Sequence, residues 1–208
     1  WDEYLAKARL ENEAALRRLE EAGLEPEDLE AAFTVLAGFP DVEAVAGRDA
    51  LPDFRMARKN LEAFLDRAGP LVPKERPEKG YDSLQSLIIR CLLRRRNIGF
   101  SGHRPLMETI ELFDKNLGVT KNRWRSKDEA EGIRAAAEAF RDETAVPVLG
   151  AWREFRHTRA LAFLGPAVGF YAERRRAEAK LNFQDQLMRA AALLRDNPEV
   201  RRYFRKRF

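Results

Sequence analysis

The chain has 208 residues, 45% of them hydrophobic and 35% charged, with a formal net charge of +4. Its single cysteine excludes an internal disulfide, and no apolar run nears the roughly 18 residues that a membrane span needs. No signal peptide is visible, so a cytoplasmic protein of one large or two small domains, with no membrane partner, is expected. The charge is unevenly spread: residues 1–69 hold 9 Lys/Arg against 16 Asp/Glu, and residues 70–208 hold 29 against 18. A basic field of that size attracts phosphate backbones. A soluble helical protein rich in arginine and alanine would show the same bias.

In chain order, residues 2–22 place Leu5, Ala8, Ala15, Leu16 and Leu19 on one side of a single predicted helix, stopped by Gly23. Pro26 opens a second, with Leu29, Phe33 and Leu36 at helical spacing. A loop follows over 38–52. Asp53 then caps a helix to about Ala68 that buries Phe54, Leu61, Phe64 and Leu65. Three prolines and two glycines between Gly69 and Gly80 cannot continue a helix. The charge switches sign there too, so a subdomain boundary is predicted. Asp82 caps the next helix, to about Asn97, and its apolar run carries Cys91, read as a buried inert thiol. Pro105 starts a helix ending near Gly118. Ser126 with Glu129 makes a capping-box pattern for a helix to about Asp142. Pro147 opens a helix carrying Leu149, Trp152, Phe155 and Leu161, which Gly165-Pro166 breaks or kinks before it continues through Glu178. The last 28 residues read as two helices joined at Asp196-Asn197-Pro198. No convincing alternation marks a strand. The expected fold class is all-α, a bundle-like assembly of about nine or ten helices without a sheet.

Chemistry-bearing motifs are scarce. A phosphate-cradling loop of the P-loop type needs a Gly-Lys pair, and the chain contains none. Asp128-Glu129-Ala130-Glu131 imitates a magnesium-holding acidic motif, but no apolar strand precedes it. It is read as a helix first turn, where acids meet the positive dipole end. His103 and His157 stand far apart in sequence, with no Cys/His cluster to make a metal site. No catalytic or metal-ligating residue is therefore expected. The binding candidates are basic. Between Arg90 and Arg125 there are nine Lys/Arg and three Asp/Glu. Arg94, Arg95, Arg96, Arg104, Lys121, Arg123 and Arg125 are candidates for phosphate contact, as are Arg174, Arg175 and Arg176. Basic residues also suit a helix C-terminus, which explains Arg94–Arg96 without a ligand. Trp124 is a candidate for stacking on a base, although a core or inter-helix position suits it better.

The tail carries a resemblance. Asn182-Phe183, Asp185 and Leu187, then Asn197-Pro198-Glu199-Val200 and the Arg207-Phe208 end, occur in the order and spacing seen before the Walker B strand of UvrD/RecB-like superfamily 1 DNA helicases. Gln186 departs from that pattern, which usually has an apolar residue. Looser similarities lie in Trp1–Leu5, in Gly23–Leu29 with Phe39-Pro40-Asp41-Val42, in Val119–Trp124, and in Leu161–Leu187 as the helix returning to the motor. The resemblance is to the AddA/RecB branch. It implies a fragment of an ATP-dependent 3′-to-5′ helicase or translocase, in some relatives joined to a nuclease for DNA repair at double-strand breaks. Residues 1–69 would be an acidic helical part, 70–80 a linker, 81–180 the basic part of a helical insertion, and 181–208 the segment leading to the Walker B strand. DNA phosphates, the rest of the motor and a partner nuclease subunit are the implied partners. ATP and Mg are implied for the whole hydrolase, with no cofactor and no ATPase activity in this chain. Asn182, Phe183, Asp185 and Leu187 carry a structural role, with Asn182 capping the helix and Phe183 and Leu187 pointing inward. The alternative is a helical scaffold that docks a partner subunit through its acidic N-terminal third.

Overall fold

The structure, a computed structural model, describes residues 1–39, 44–180 and 183–207. Pro40-Asp41-Val42, Asn182 and Phe208, all part of the resemblance, lie outside the described residues. Among the described residues the fold is all-helical, with no strand. No helix there is long and apolar enough to cross a membrane.

The chain divides into two compact units, Trp1–Asp49 with Arg156–Phe208, and Ala50–Phe155. The boundary expected at the Pro/Gly stretch 70–80 is thus displaced. That stretch lies inside the second unit, where Val72 is buried and the Tyr81 hydroxyl donates to the Pro73 carbonyl at 3.4 Å. Loop composition there reports the local chain path and not a domain edge.

In the first unit, the single helix expected over 2–22 is two: α1 (Asp2–Glu11) and α2 (Glu13–Glu21). Asn12 separates them with φ −140° and ψ 55°, and its side chain accepts from the Ala15 amide at 3.2 Å. A capping asparagine starts a new helix even where the apolar period runs on. Gly23 ends α2 at φ 62°, with the Leu24 amide returning to the Leu19 carbonyl at 3.0 Å and the Gly23 amide to Glu20 at 2.8 Å. After a 3-10 turn at Pro26–Leu29 comes α3 (Glu30–Gly38). Tyr4, Leu5, Leu19, Leu29 and Phe33 bury against Phe163, Leu164 and Ala167 of α8 (Val146–Ala177). Tyr4 also donates to the Phe163 carbonyl at 3.2 Å, which satisfies its buried hydroxyl. Burial raises the Tyr4 pKa. The break or kink foreseen at Gly165-Pro166 is no break: α8 runs through Pro166. A proline removes one helical hydrogen bond. The buried residues Phe163, Leu164 and Ala167 anchor the helix on both sides of that loss.

In the second unit, α4 (Arg55–Ala68) buries Leu61, Phe64 and Leu65 as expected. Asp53 sits one place before the N-cap position, its carboxylate accepting from the Arg55 amide at 2.9 Å and pairing with the Arg55 guanidinium at 2.6 Å. That pairing holds the Asp53 carboxyl down at about 2. Next come α5 (Ser83–Asn97), α6 (His103–Ile110) and α7 (Lys127–Phe140). Ser126 caps α7 through the Glu129 amide at 3.0 Å, so Asp128 and Glu129 are first-turn residues of a helix. A π turn, Arg141–Ala145, leads directly into α8, whose first ten residues belong to this unit. The core centres on Phe64, Phe113 and Phe140, with Phe113 and Phe140 ring centroids 4.7 Å apart. Cys91 is fully buried, and burial pushes its thiol up to about 12. The expected burial of this cysteine is found.

The chain ends in α9 (Phe183–Asp196) and α10 (Pro198–Arg207), joined at Asn197. The inward orientation expected of Phe183 and Leu187 is not found: they are 73% and 48% exposed. α10 meets α9, and no residue of α10 is buried.

Candidate nucleic-acid interface

Arg94, Arg95 and Arg96 close α5, whose end is shaped by Gly99 at φ 74°. The Gly99 amide returns to the Arg94 carbonyl at 3.1 Å, a reversal that glycine makes without steric cost. The three side chains then diverge. Arg94 pairs with Glu108 and donates to the Thr109 hydroxyl at 3.1 Å. Arg95 pairs with Asp66 at 2.6 Å. Arg96 is exposed and has no side-chain partner among the described residues. Two of the three guanidinium groups are thus held by carboxylates of this chain.

The second basic stretch behaves similarly. Lys121 pairs with Glu131, and Arg104 with Glu108 at 3.3 Å. Arg125 donates to the Pro70 carbonyl at 3.3 Å. Arg123 is half-buried, with its Nε lacking a partner. Trp124 corrects the stacking reading. It is 7% exposed, and its indole N–H donates to Asp82 at 2.8 Å, so its ring belongs to the core and not to a ligand.

Asp82 organises this region, and its full role was not legible beforehand. It is 5% exposed. One oxygen accepts from the Gln85 amide at 2.8 Å, and the other from the Thr120 amide at 2.9 Å and from Trp124. Gln85 completes the box through the Asp82 amide at 3.1 Å and donates to the Arg123 carbonyl at 2.8 Å. A single N-cap thus ties the Thr120–Trp124 segment to the start of α5. Its sequence signal announced the helix start alone.

In the first unit, Arg174 pairs with Glu178 at 2.7 Å and with Glu3 at 3.1 Å. Arg175 pairs with Asp185 at 3.0 Å, both side chains being largely buried, and lies 4.6 Å over the Tyr171 ring. Asp185 is therefore an anchor between α8 and α9 as well as a first-turn acid. Arg176 is exposed with no side-chain partner among the described residues. Arg94–Arg96, Arg104, Lys121, Arg123 and Arg125 lie in the second unit, and Arg174–Arg176 in the first. Among the described residues, the candidates that no carboxylate neutralises are Arg96, Arg123, Arg125 and Arg176. Two cations the sequence reading passed over, Arg90 and Lys115, share one cavity in the second unit. The spacing of Ser83, Ser86 and Arg90 could have marked the helical face. Lys115 reaches it from a distant segment, which no local pattern reports.

No group of three or more His, Cys, Asp or Glu able to hold a metal occurs among the described residues. His103 lies between rings, 6.1 Å from Phe54 and 5.5 Å from Trp152. Compared with protein-family models, curated proteins and solved structures, the chain gives no match.

Proposed function

We propose that this chain is the helical insertion of a UvrD/RecB-like DNA helicase, with the segment leading to the Walker B strand. Its role is to hold and guide DNA by its phosphates, and the ATP-dependent chemistry belongs to the rest of that protein. The observation that carries this reading is the α9–α10 hairpin. The residues that resemble the family form two helices joined at Asn197-Pro198, and their apolar side chains Phe183, Leu187, Met188, Leu193, Leu194, Tyr203 and Phe204 are exposed. A seam of this kind fits a segment made to lie against a larger body.

The DNA part rests on cations without carboxylate partners among the described residues, Arg96 and Arg176 above all. Non-specific phosphate binding gives dissociation constants of about 10⁻⁴ to 10⁻⁶ M at physiological salt, and each neutralised phosphate adds about 0.9 to the log–log salt slope on duplex DNA. Replacing Arg94, Arg95 and Arg96 together should lower that slope by about 0.9 rather than by the roughly 2.7 of three contacts, because Arg94 and Arg95 already hold carboxylates. Arg96→Gln alone should reproduce the whole change. A slope that ignores Arg96→Gln and Arg176→Gln alike removes the DNA reading. The gene flanking this chain tests the parentage, through a Gly-Lys-Thr/Ser loop upstream and an acidic strand after Phe208.

A second reading, a scaffold that docks a partner subunit, is favoured by one observation. Arg94, Arg95, Arg104, Lys121, Arg174 and Arg175 are all paired with carboxylates of this chain. Absence of DNA binding together with capture of a subunit of the same complex would select it.

A further inference from the structure

A cavity of about 280 Å³ opens in the second unit beside the first two turns of α5, lined by Tyr81, Ser83, Ser86, Arg90, Leu112 and Lys115. Ser83, Ser86 and Arg90 follow one another at spacings of three and four, which puts them on one helical face. Lys115 arrives from the segment after the 3-10 turn Glu111–Phe113. That segment is fixed to the helix start, because the Leu84 amide donates to the Gly118 carbonyl at 3.3 Å and the Thr120 amide to Asp82 at 2.9 Å.

The charges around the cavity are unbalanced. Arg90 and Lys115 have no ion-pair partner among the described residues, and the Ser83 and Ser86 hydroxyls have no hydrogen-bond partner there. The acids nearest Lys115 in sequence, Glu111 and Asp114, are directed to Arg153, at 3.7 and 2.6 Å. Asp82 also borders the cavity, but its carboxylate is buried and receives three N–H donors. The amides of Leu84 and Gln85 are already engaged, so the donors on offer are side chains and not a helix terminus.

We propose that this cavity binds a phosphate group, with Arg90 and Lys115 supplying charge and Ser83 and Ser86 supplying hydroxyl donors. Cationic and hydroxyl donors are the groups that hold phosphate oxygens. The volume lies at the lower bound of small-molecule pockets, about 300 Å³, which suits a phosphate with part of its sugar better than a whole nucleotide. With the DNA reading, the source is a nucleic-acid strand, through a backbone diester or a terminal monoester. This assignment of the source rests on the DNA reading above; the phosphate chemistry does not.

The test is an amide-resolved NMR titration of the full chain with inorganic phosphate at constant ionic strength, with chloride as the matched control. Phosphate should shift the Ser83–Leu87 amides saturably, and chloride should not. Arg90→Gln with Lys115→Gln should weaken the response at least about tenfold, as expected for losing charge-assisted hydrogen bonds. Lys59→Gln, an exposed site on α4 outside the cavity, should leave it unchanged. Circular dichroism verifies that each variant is folded, and Ser86→Ala gives a milder second variant. Shifts that chloride reproduces, or that survive the double substitution in folded protein, overturn the proposal. Oligonucleotides with 5′-hydroxyl and 5′-phosphate ends then separate the sources: equal competition assigns a diester, stronger competition by the phosphorylated end a monoester. Phosphate binding without competition by DNA would overturn the nucleic-acid source and leave the phosphate site standing, while the DNA reading itself is tested at Arg96 and Arg176. DNA binding without a phosphate response would overturn the site and leave the DNA reading standing.

Discussion

The interior of the second unit and the α9–α10 hairpin are written in the same sequence language and end in opposite environments. In α4, Leu61 and Leu65 are fully buried and Phe64 nearly so. In α9, Phe183 and Leu187 stand at an equivalent spacing and are exposed. Both helices are amphipathic. Periodicity identifies the face that wants cover; the neighbours decide whether it has any. α4 is met by α5, α7 and the π turn, whereas α9 meets α10 and is tied to α8 by the Arg175–Asp185 ion pair.

The largest contrast should appear at Phe113, fully buried between Phe64 and Phe140. Phe113→Ala should cost about 3–5 kcal/mol, from lost transfer energy and the cavity left behind. Denaturant midpoints measure it. A cost below about 1 kcal/mol would mean that the second unit is not the tight body described here.

Asp82 sharpens the comparison on the polar side. Asp82→Ala removes the acceptor for two amides and one indole N–H, in a buried place. Each unsatisfied buried donor is costly, and the cap alone is worth about 1 kcal/mol, so a loss of about 2–3 kcal/mol is expected. Asp82→Asn keeps one acceptor oxygen and should cost less. The indole N–H exchange rate of Trp124 gives a second readout, since it should rise sharply in Asp82→Ala. Equal costs for the two variants would show that the acceptor oxygen kept by asparagine contributes nothing.

Local signals account for what was readable beforehand. The caps at Asp82 and Ser126, the stop at Gly23 and the apolar faces of α4 and α5 all depend on residues within a turn or two. They appear where expected. The failures are of two kinds. Asn12 and Pro166 show local rules in competition: capping won over a continuing apolar period at Asn12, and flanking burial won over the proline at 166. Trp124, Lys115 and the uncovered hairpin depend on partners far away in sequence, or on no partner at all. The candidate site was legible as a basic stretch. Which cations remain unneutralised depends on Asp66, Glu108 and Glu131, and these pairings are tertiary.

The end of α8 offers a smaller effect of opposite sign. Ala179 adopts φ 54°, with the Lys180 amide closing on the Arg175 carbonyl at 2.9 Å. This is the reversal that glycine makes at Gly23, built here with a side chain that disfavours it by about 1–2 kcal/mol. Glycine relieves that strain and loses about 0.5–1 kcal/mol through greater unfolded-state entropy. Ala179→Gly should therefore stabilise the first unit by about 0.5 kcal/mol, read as a raised thermal midpoint. A clear destabilisation would mean that residue 179 does not hold this conformation.

The smallest effect is expected where sequence reasoning foresaw a large one. Were Phe183 buried, its truncation would cost about 3 kcal/mol. With Phe183 73% exposed and Leu187 48% exposed, no packed cavity is created by removing either. Surface substitutions of this kind stay within about 0.5 kcal/mol. Phe183→Ala and Leu187→Ala should each leave the denaturant midpoint almost unmoved, and should reduce binding of a hydrophobic dye. The contrast with Phe113→Ala then isolates cover from side-chain size, since all three are large apolar side chains. A loss above about 1.5 kcal/mol would break the comparison, for it would show the seam covered in solution. Repeating the measurement across protein concentration identifies the cover: a midpoint that rises with concentration assigns it to a second copy of the chain, and a constant midpoint to the chain itself.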